Sequence, residues 1–222
     1  MNIAIDPGKV KTLPILGGFT IDETMVTSAI VMGIMVLFAL IVRIFVIPRF
    51  KEKPGGFQLL LEMFVTGMDG MARSNLGDKL GITMAPYAAT IGGFIVMSGI
   101  IELFGLRAPC ADINMTAALA LMSFVLINYF AIRGGVKKAL HHFKPYAISP
   151  IILITDFAVP ISLACRLFGN MLAGLVVMEL IYNVIPVVVP AALSLYFNLF
   201  HALLQAFIFM TLTMSFIRER TE

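Results

Sequence analysis

Residues 148–185 read ISPIILITDFAVPISLACRLFGNMLAGLVVMELIYNVI, an apolar run whose only formal charges are Asp156, Arg166 and Glu179. As one α-helix it would measure about 57 Å, nearly twice the ~30 Å hydrocarbon core of a bilayer, so it must lie strongly tilted or break. Insertion scales assign ~2.5–3.5 kcal/mol to an Asp or Arg at the centre of a spanning helix. Arg166 is the most telling of the three. A carboxylic acid escapes that cost by taking a proton, whereas a guanidinium with a pKa above ~12 stays charged and needs a counter-charge, water or both.

At 100° per residue Ser162, Arg166 and Asn170 form a polar stripe with Gly169 beside it, and small residues at 169 and 174 let another helix approach closely. Glu179 falls roughly 140° around the helix from Arg166, so cation and acid face different surroundings. The next apolar run, residues 186–217, carries Asn198, His201 and Gln205 at spacings of three and four. Its helix would measure about 48 Å, and Pro186 and Pro190, with Asn183 before them, mark the turn between the two runs. A long tilted hairpin is expected, presenting Arg166 to a partner while acids and amides line wet paths beside it. Simple joining of helices would explain Asn170 or Asn198 alone. It accounts poorly for an arginine with two acids, a histidine and a glutamine on adjacent runs.

The rest of the chain agrees with a membrane setting. Of 222 residues, 59% are apolar and 13% charged, against ~45–50% and ~25% in a soluble domain. Mean hydropathy is +0.97. Soluble enzymes, nucleic-acid modules and disordered linkers are thereby excluded, and the net charge of +3 fits loops at an anionic membrane surface better than a nucleic-acid partner. Residues 25–47, 84–106 and 115–132 each meet the ~20-residue requirement for a span. Between the first two, Phe57, Leu60, Leu61, Phe64, Met68 and Met71 recur at helical spacing, which predicts an amphipathic helix over 56–74, on the membrane surface or packed against protein. The expected fold class is an all-α integral membrane protein: a single membrane domain, 1–222, with about five membrane-embedded helices plus one surface helix after an outer segment, 1–24.

Loop charge sets the orientation. Eleven cations (Arg49, Lys51, Lys53, Arg73, Lys79, Arg133, Lys137, Lys138, Lys144, Arg218 and Arg220) fall on one side and three (Lys9, Lys11 and Arg107) on the other. The positive-inside rule then puts the N-terminus outside and the C-terminus in the cytoplasm. MNIAIDPGKVKTLPILGG lacks the features of a cleavable signal, so insertion is expected to be driven by the first span. Cys110 and Cys165 do not make a disulfide framework. His141 and His142 point to opposite helix faces without a third ligand, so a solvated basic loop is expected there and no metal site. No phosphate loop of the GxxxxGK[ST] type is present, and no cofactor is expected. No internal repeat is visible, which argues against an inverted-repeat transporter.

CRLFGNMLAG around Arg166 and LLQAFIFMTLT around Gln205 closely resemble subunit a of F-type ATP synthases, as do APCADINMTAALAL and QLLLEMF upstream. The resemblance covers roughly residues 25–217. It implies a non-catalytic, proton-translocating stator subunit whose tilted helices curve around a ring of c subunits bearing membrane carboxylates. It also implies peripheral-stalk b subunits, other ATP synthase subunits and membrane lipid as neighbours. Arg166 matches the family's essential arginine, Asn170 its nearby asparagine, Gln205 its final-helix glutamine and Ser162 a small polar position. Two aqueous half-channels would reach opposite faces. A simple N-terminus and loops with ample charge favour a bacterial plasma membrane over an organelle.

The sequence departs from the family pattern at three places. Leu175, Asn198 and Ile152 stand where Glu or His, Glu or His, and an acid are common. Glu179, His201 and Asp156 each lie three or four residues further along, about one turn of the same face. Proton-handling groups displaced by one turn are therefore expected, with Glu179 and His201 on the outer path and Asp156 on the cytoplasmic one. The rivals are a stand-alone channel or secondary transporter using Arg166 as an anion site, and a membrane enzyme using His141, His142 and Asp156 around a metal.

Overall fold

The computed structural model describes residues 11–12, 20–21, 23–50, 55–104, 106–133, 149–184 and 195–221. Pro186, Pro190, His141 and His142 lie outside the described residues. Near the N-terminus Lys11–Thr12 and Thr20–Ile21 pair as a short antiparallel ladder. The rest of the described chain is built from helices, so the fold is all-α. Five of them are long and apolar enough to cross a membrane.

Helix α1 (Glu23–Ile41) carries no polar side chain from Ala29 onward. An apolar stretch without a polar face is a membrane pattern, and Val36, Leu37 and Phe38 are indeed exposed on the outside of the protein. The helix ends in a π-turn (Val42–Val46) and a 3₁₀ turn (Ile47–Arg49), where Pro48 cannot donate an amide hydrogen to continue an α-helical ladder.

Helix α2 (Gly56–Glu102) has one break in its helical backbone, at Gly77, with φ 74° and ψ 171°. That conformation is open essentially only to glycine, so residue 77 is the corner between two limbs. On the first limb Phe57, Leu60, Met63 and Phe64 are exposed, while Met68, Met71 and Leu76 lean on the core. Its polar groups pair one turn apart: Gln58 Nε2 donates to Glu62 Oε1 at 2.7 Å, and Arg73 meets Asp69 at 2.8 Å.

The second limb of α2 packs along α5 (His201–Thr221), its most extensive helix contact. Met84, Ala88, Ile91, Ile95 and Ser98 recur at alternating spacings of four and three and are all buried, facing Ala202, Ala206, Phe209, Thr213 and Ile217. Gly92 fixes the closeness of the approach: a Cβ there would stand 2.5 Å from Met210 Sδ. A π-turn, Leu195–Phe200, leads into α5.

After α2 a 3₁₀ turn (Pro109–Ala111) delivers Asp112, whose Oδ1 accepts from the Asn114 amide at 2.9 Å and caps α3 (Ile113–Arg133). Helix α3 packs on both α4 (Ser149–Val184) and α5, while α4 touches α5 only lightly. The last two helices are therefore braced by α3 rather than zipped along their length. Beside this apolar core several polar groups are buried while large apolar groups face outward. Thr24, Ser98, Thr116, Ser123, Gln205 and Thr213 are each no more than 2% exposed, whereas Phe38, Leu121 and Ile161 are more than half exposed. Large apolar side chains on the outside suit a protein surrounded by hydrocarbon.

Candidate functional site

Helix α4 divides cleanly into two faces. Leu163, Leu167, Met171 and Met178 recur at near multiples of a turn and are buried against the bundle. Ile161, Ser162, Cys165, Arg166, Gly169 and Ala173 are exposed. Arg166 thus projects from the side of α4 that turns away from its own core, and among the described residues it enters no ion pair. A permanent cation is thus held at mid-helix without a carboxylate partner among the described residues.

Behind it the polar groups are joined. Each step of four residues advances 40° around a helix, so Asn170 is rotated from Arg166 toward α5. There its Nδ2 donates to Gln205 Oε1 at 2.6 Å. Gln205 is 2% exposed, and its own Nε2 has no partner among the described residues; the same is true of the buried His201 Nε2, one turn toward the start of α5. A buried amide nitrogen and a buried imidazole nitrogen left without partners are costly in a dry interior, and ordered water is what ordinarily satisfies such atoms.

The sequence-derived set is thus only partly assembled. Asn170 and Gln205 meet, Arg166 and Ser162 share the exposed face, and His201 lies one turn from Gln205. Asp156 and Glu179 are on the backbone of α4 and Asn198 is in the π-turn before α5, but their side chains lie outside those described. The polar stripe read from Ser162, Arg166 and Asn170 splits: its first two members face outward and its third turns inward.

Further polar ties lie beyond the predicted set. At the end of the bundle where α1 begins Thr24 Oγ1 donates to Asp112 Oδ2 at 2.9 Å, and the Cys110 amide donates to Ser98 Oγ at 3.1 Å. Further along the bundle the hydroxyls of Tyr87 and Ser123 are 2.8 Å apart, linking α2 to α3. Glu102, the last residue of α2, is half-buried. Its signal in the sequence was a lone carboxylate in an otherwise uncharged span. Both cysteines are free thiols, Cys110 buried and Cys165 exposed.

An all-α multi-pass protein whose mid-helix arginine lies on an outward face, without an ion pair among the described residues, and has an amide bridge behind it is a membrane subunit built to handle ions. A family model described as ATP synthase A chain matches residues 25–218. Similar proteins include ATP synthase subunit a of Desulforamulus reducens, 33% identical over 231 residues that cover 98% of this chain and 86% of the relative. The chloroplastic subunit a of Stigeoclonium helveticum is 32% identical over 216 residues, covering 90% of this chain and 85% of the relative. A protein named ATP synthase subunit a 2 from Syntrophotalea carbinolica is 34% identical over 176 residues, with coverage of 76% and 74%. The chain belongs to the ATP synthase A chain family: a proton-translocating stator subunit of the complex, not a catalytic one.

Proposed function

We propose that this chain passes protons to and from the carboxylates of a rotating c-subunit ring through two half-channels, with Arg166 separating them. The observation that carries this reading is the placement of Arg166: exposed on the outward face of α4, without an ion-pair partner among the described residues. A ring carboxylate that carries a proton is neutral and can travel through lipid. Beside Arg166 its ionised form is favoured, so the proton is released to the adjoining half-channel. The fixed cation also repels a proton crossing directly from one half-channel to the other. Each elementary charge moved across 100 mV supplies about 2.3 kcal/mol, which biases the direction of rotation. Nucleotide chemistry is left to other subunits of the complex.

Residue roles follow from position. Glu179 and His201 serve the outer half-channel and Asp156 the cytoplasmic one, with Ser162, Asn170 and Gln205 shaping the water around Arg166. The c-ring lies along the exposed side of α4. Lipid and the peripheral-stalk b subunits cover the apolar sides of α1 and of the first limb of α2, whose side chains are unburied by this chain itself. The asymmetry of loop cations supports an N-terminus outside and a C-terminus in the cytoplasm of a bacterium.

The test is ATP-driven acidification of inverted membrane vesicles. Arg166→Ala should abolish it while the subunit remains in the complex. Vesicles holding the purified chain alone should not conduct protons; if they did, or if Arg166→Ala vesicles still pumped, the stator role would be wrong.

A further inference from the structure

The seam between α2 and α5 changes character along its length. Gly92 meets Met210 while Met84 shares a buried cluster with Ile217, so the two helices run antiparallel. From the Gly92–Met210 level, Gln205 and His201 lie about 7.5 and 13.5 Å toward one end, five and nine residues before Met210. Each has a buried side-chain nitrogen without a partner among the described residues. Tyr87, five residues before Gly92, and Thr213, three after Met210, lie about 7.5 and 4.5 Å toward the other end.

On that second side a cavity of about 10 Å³ separates the helices, no more than the ~10–15 Å³ that one water needs. Its walls are apolar except for the side chains of Tyr87 and Thr213. Both hydroxyl hydrogens are already committed. Thr213 Oγ1 donates to the Phe209 carbonyl at 2.8 Å. Ser123 Oγ donates its one hydrogen to the Leu119 carbonyl at 3.0 Å, so in the 2.8 Å contact between Tyr87 and Ser123 the tyrosine is the donor. Each short chain therefore ends on a carbonyl, which has no hydrogen to pass on. Beyond the cavity Met84, Ile127, Phe130 and Ile217 close into a buried apolar cluster. The unpartnered Thr211 Oγ1 is two residues from Thr213, about 200° round α5, and so lies off this seam.

We propose that the seam from Gly92 to Met84, centred on Tyr87, is a proton-tight septum that stops water at His201 and Gln205 from continuing along α5 to the opposite membrane face. The inference rests on the half-channel reading of the proposed function. A proton crosses a protein through waters, or through groups that both accept and donate, and this stretch offers neither. Arg166 guards the outward face of α4, whereas the septum guards the interior of the subunit. The aromatic ring of Tyr87 fills the gap between the helices, and its hydroxyl ties that ring to α3. A proton slipping past it would reach the other side without turning the c-ring.

The experiment uses the assembled complex in vesicles, with an imposed pH gradient and no nucleotide. Tyr87→Ala should speed decay of the gradient about threefold or more, with ATP hydrolysis retained and the gradient built by pumping lowered. The extra leak should persist after a hydrophobic carbodiimide has capped the c-ring carboxylates, because it bypasses them. Tyr87→Phe keeps the aromatic ring and should hold the gradient nearly as well as the unsubstituted complex. A smaller leak through Tyr87→Ala, an equal leak through Tyr87→Phe, or an extra leak that the carbodiimide abolishes would each overturn the proposal. If Tyr87→Ala fails to assemble, Met214→Ser, which puts a hydroxyl into the cavity wall, decides by the same decay and carbodiimide readings. Arg166→Ala in the same series separates the two levels. If it fails to pump while Tyr87→Ala vesicles stay tight, only the septum fails; if it pumps, the half-channel reading fails.

Discussion

Asn170 on α4 and Gln205 on α5 are joined side chain to side chain at 2.6 Å, across helices that otherwise touch only lightly. The bond ties the arginine-bearing helix to the last helix one turn from Arg166. Removing one partner leaves a buried amide unsatisfied, which typically costs about 1–3 kcal/mol. Asn170→Ala should therefore lower both the thermal stability of the purified complex and its coupled pumping. The Asn170→Ala/Gln205→Ala double variant should be little worse than the more damaging single one. Fully additive losses in a double-mutant cycle would show that the bond does not couple the helices.

Gly92 and Met210 set how closely α5 approaches α2. Gly92→Val would drive a side chain into Met210 Sδ, and overpacking of this kind costs about 1–3 kcal/mol. Since α5 carries His201 and Gln205, pumping should fall along with stability. Met210→Ala, which vacates the volume, should restore much of both when combined with Gly92→Val. Vesicle acidification and melting temperature would report the rescue.

At Gly77 the backbone itself is the constraint. With φ 74° and ψ 171°, an alanine would be strained by about 1–3 kcal/mol wherever its methyl pointed. Nothing lies within 4 Å of a Cβ at that position, so any loss is conformational and not steric contact with neighbours. Gly77→Ala should lower the melting temperature, whereas Gly70→Ala, inside the first limb at normal helical angles and equally open, should be neutral or slightly stabilising.

The two thiols should differ sharply in reactivity. Burial pushes the Cys110 thiol up to about 11, with the Glu102 charge adding to the rise and the Ser98 hydrogen bond opposing it. At neutral pH almost none is thiolate, the form that attacks maleimides. In the detergent-solubilised chain N-ethylmaleimide should modify the exposed Cys165 and spare Cys110, as read by peptide mass spectrometry. Labelling of Cys110 should grow only as pH climbs toward 11. The same shift means its contribution to stability is complete below the unfolded-state pKa and is lost as pH rises through the folded one. Equal labelling of both cysteines at pH 7 would contradict the buried placement.

Much of this was legible without coordinates, because membrane insertion writes itself into composition. Long apolar runs could only be spans, and an arginine inside one had to be either paired or presented. The break at Gly77 was harder, since Gly67, Gly70, Gly77 and Gly81 are equivalent in a one-dimensional reading and only the path of the chain selects one. The division of labour between Arg166 and Asn170 depends on a 40° drift that matters only once α5 stands on one side of α4.

The central claim is that the face of α4 bearing Arg166 receives a moving carboxylate-bearing partner while the opposite face belongs to this chain's own core. Disulfide trapping tests it most directly. With Cys110 and Cys165 replaced by serine, single cysteines would be placed at Ala173, which is exposed, and at Leu167, which is 0% exposed, opposite a cysteine-bearing ring proteolipid. Oxidation should join Ala173→Cys to the ring and halt ATP-driven pumping, reversibly on reduction, while Leu167→Cys gives no such product. Cross-linking from Leu167→Cys but not from Ala173→Cys would contradict the account.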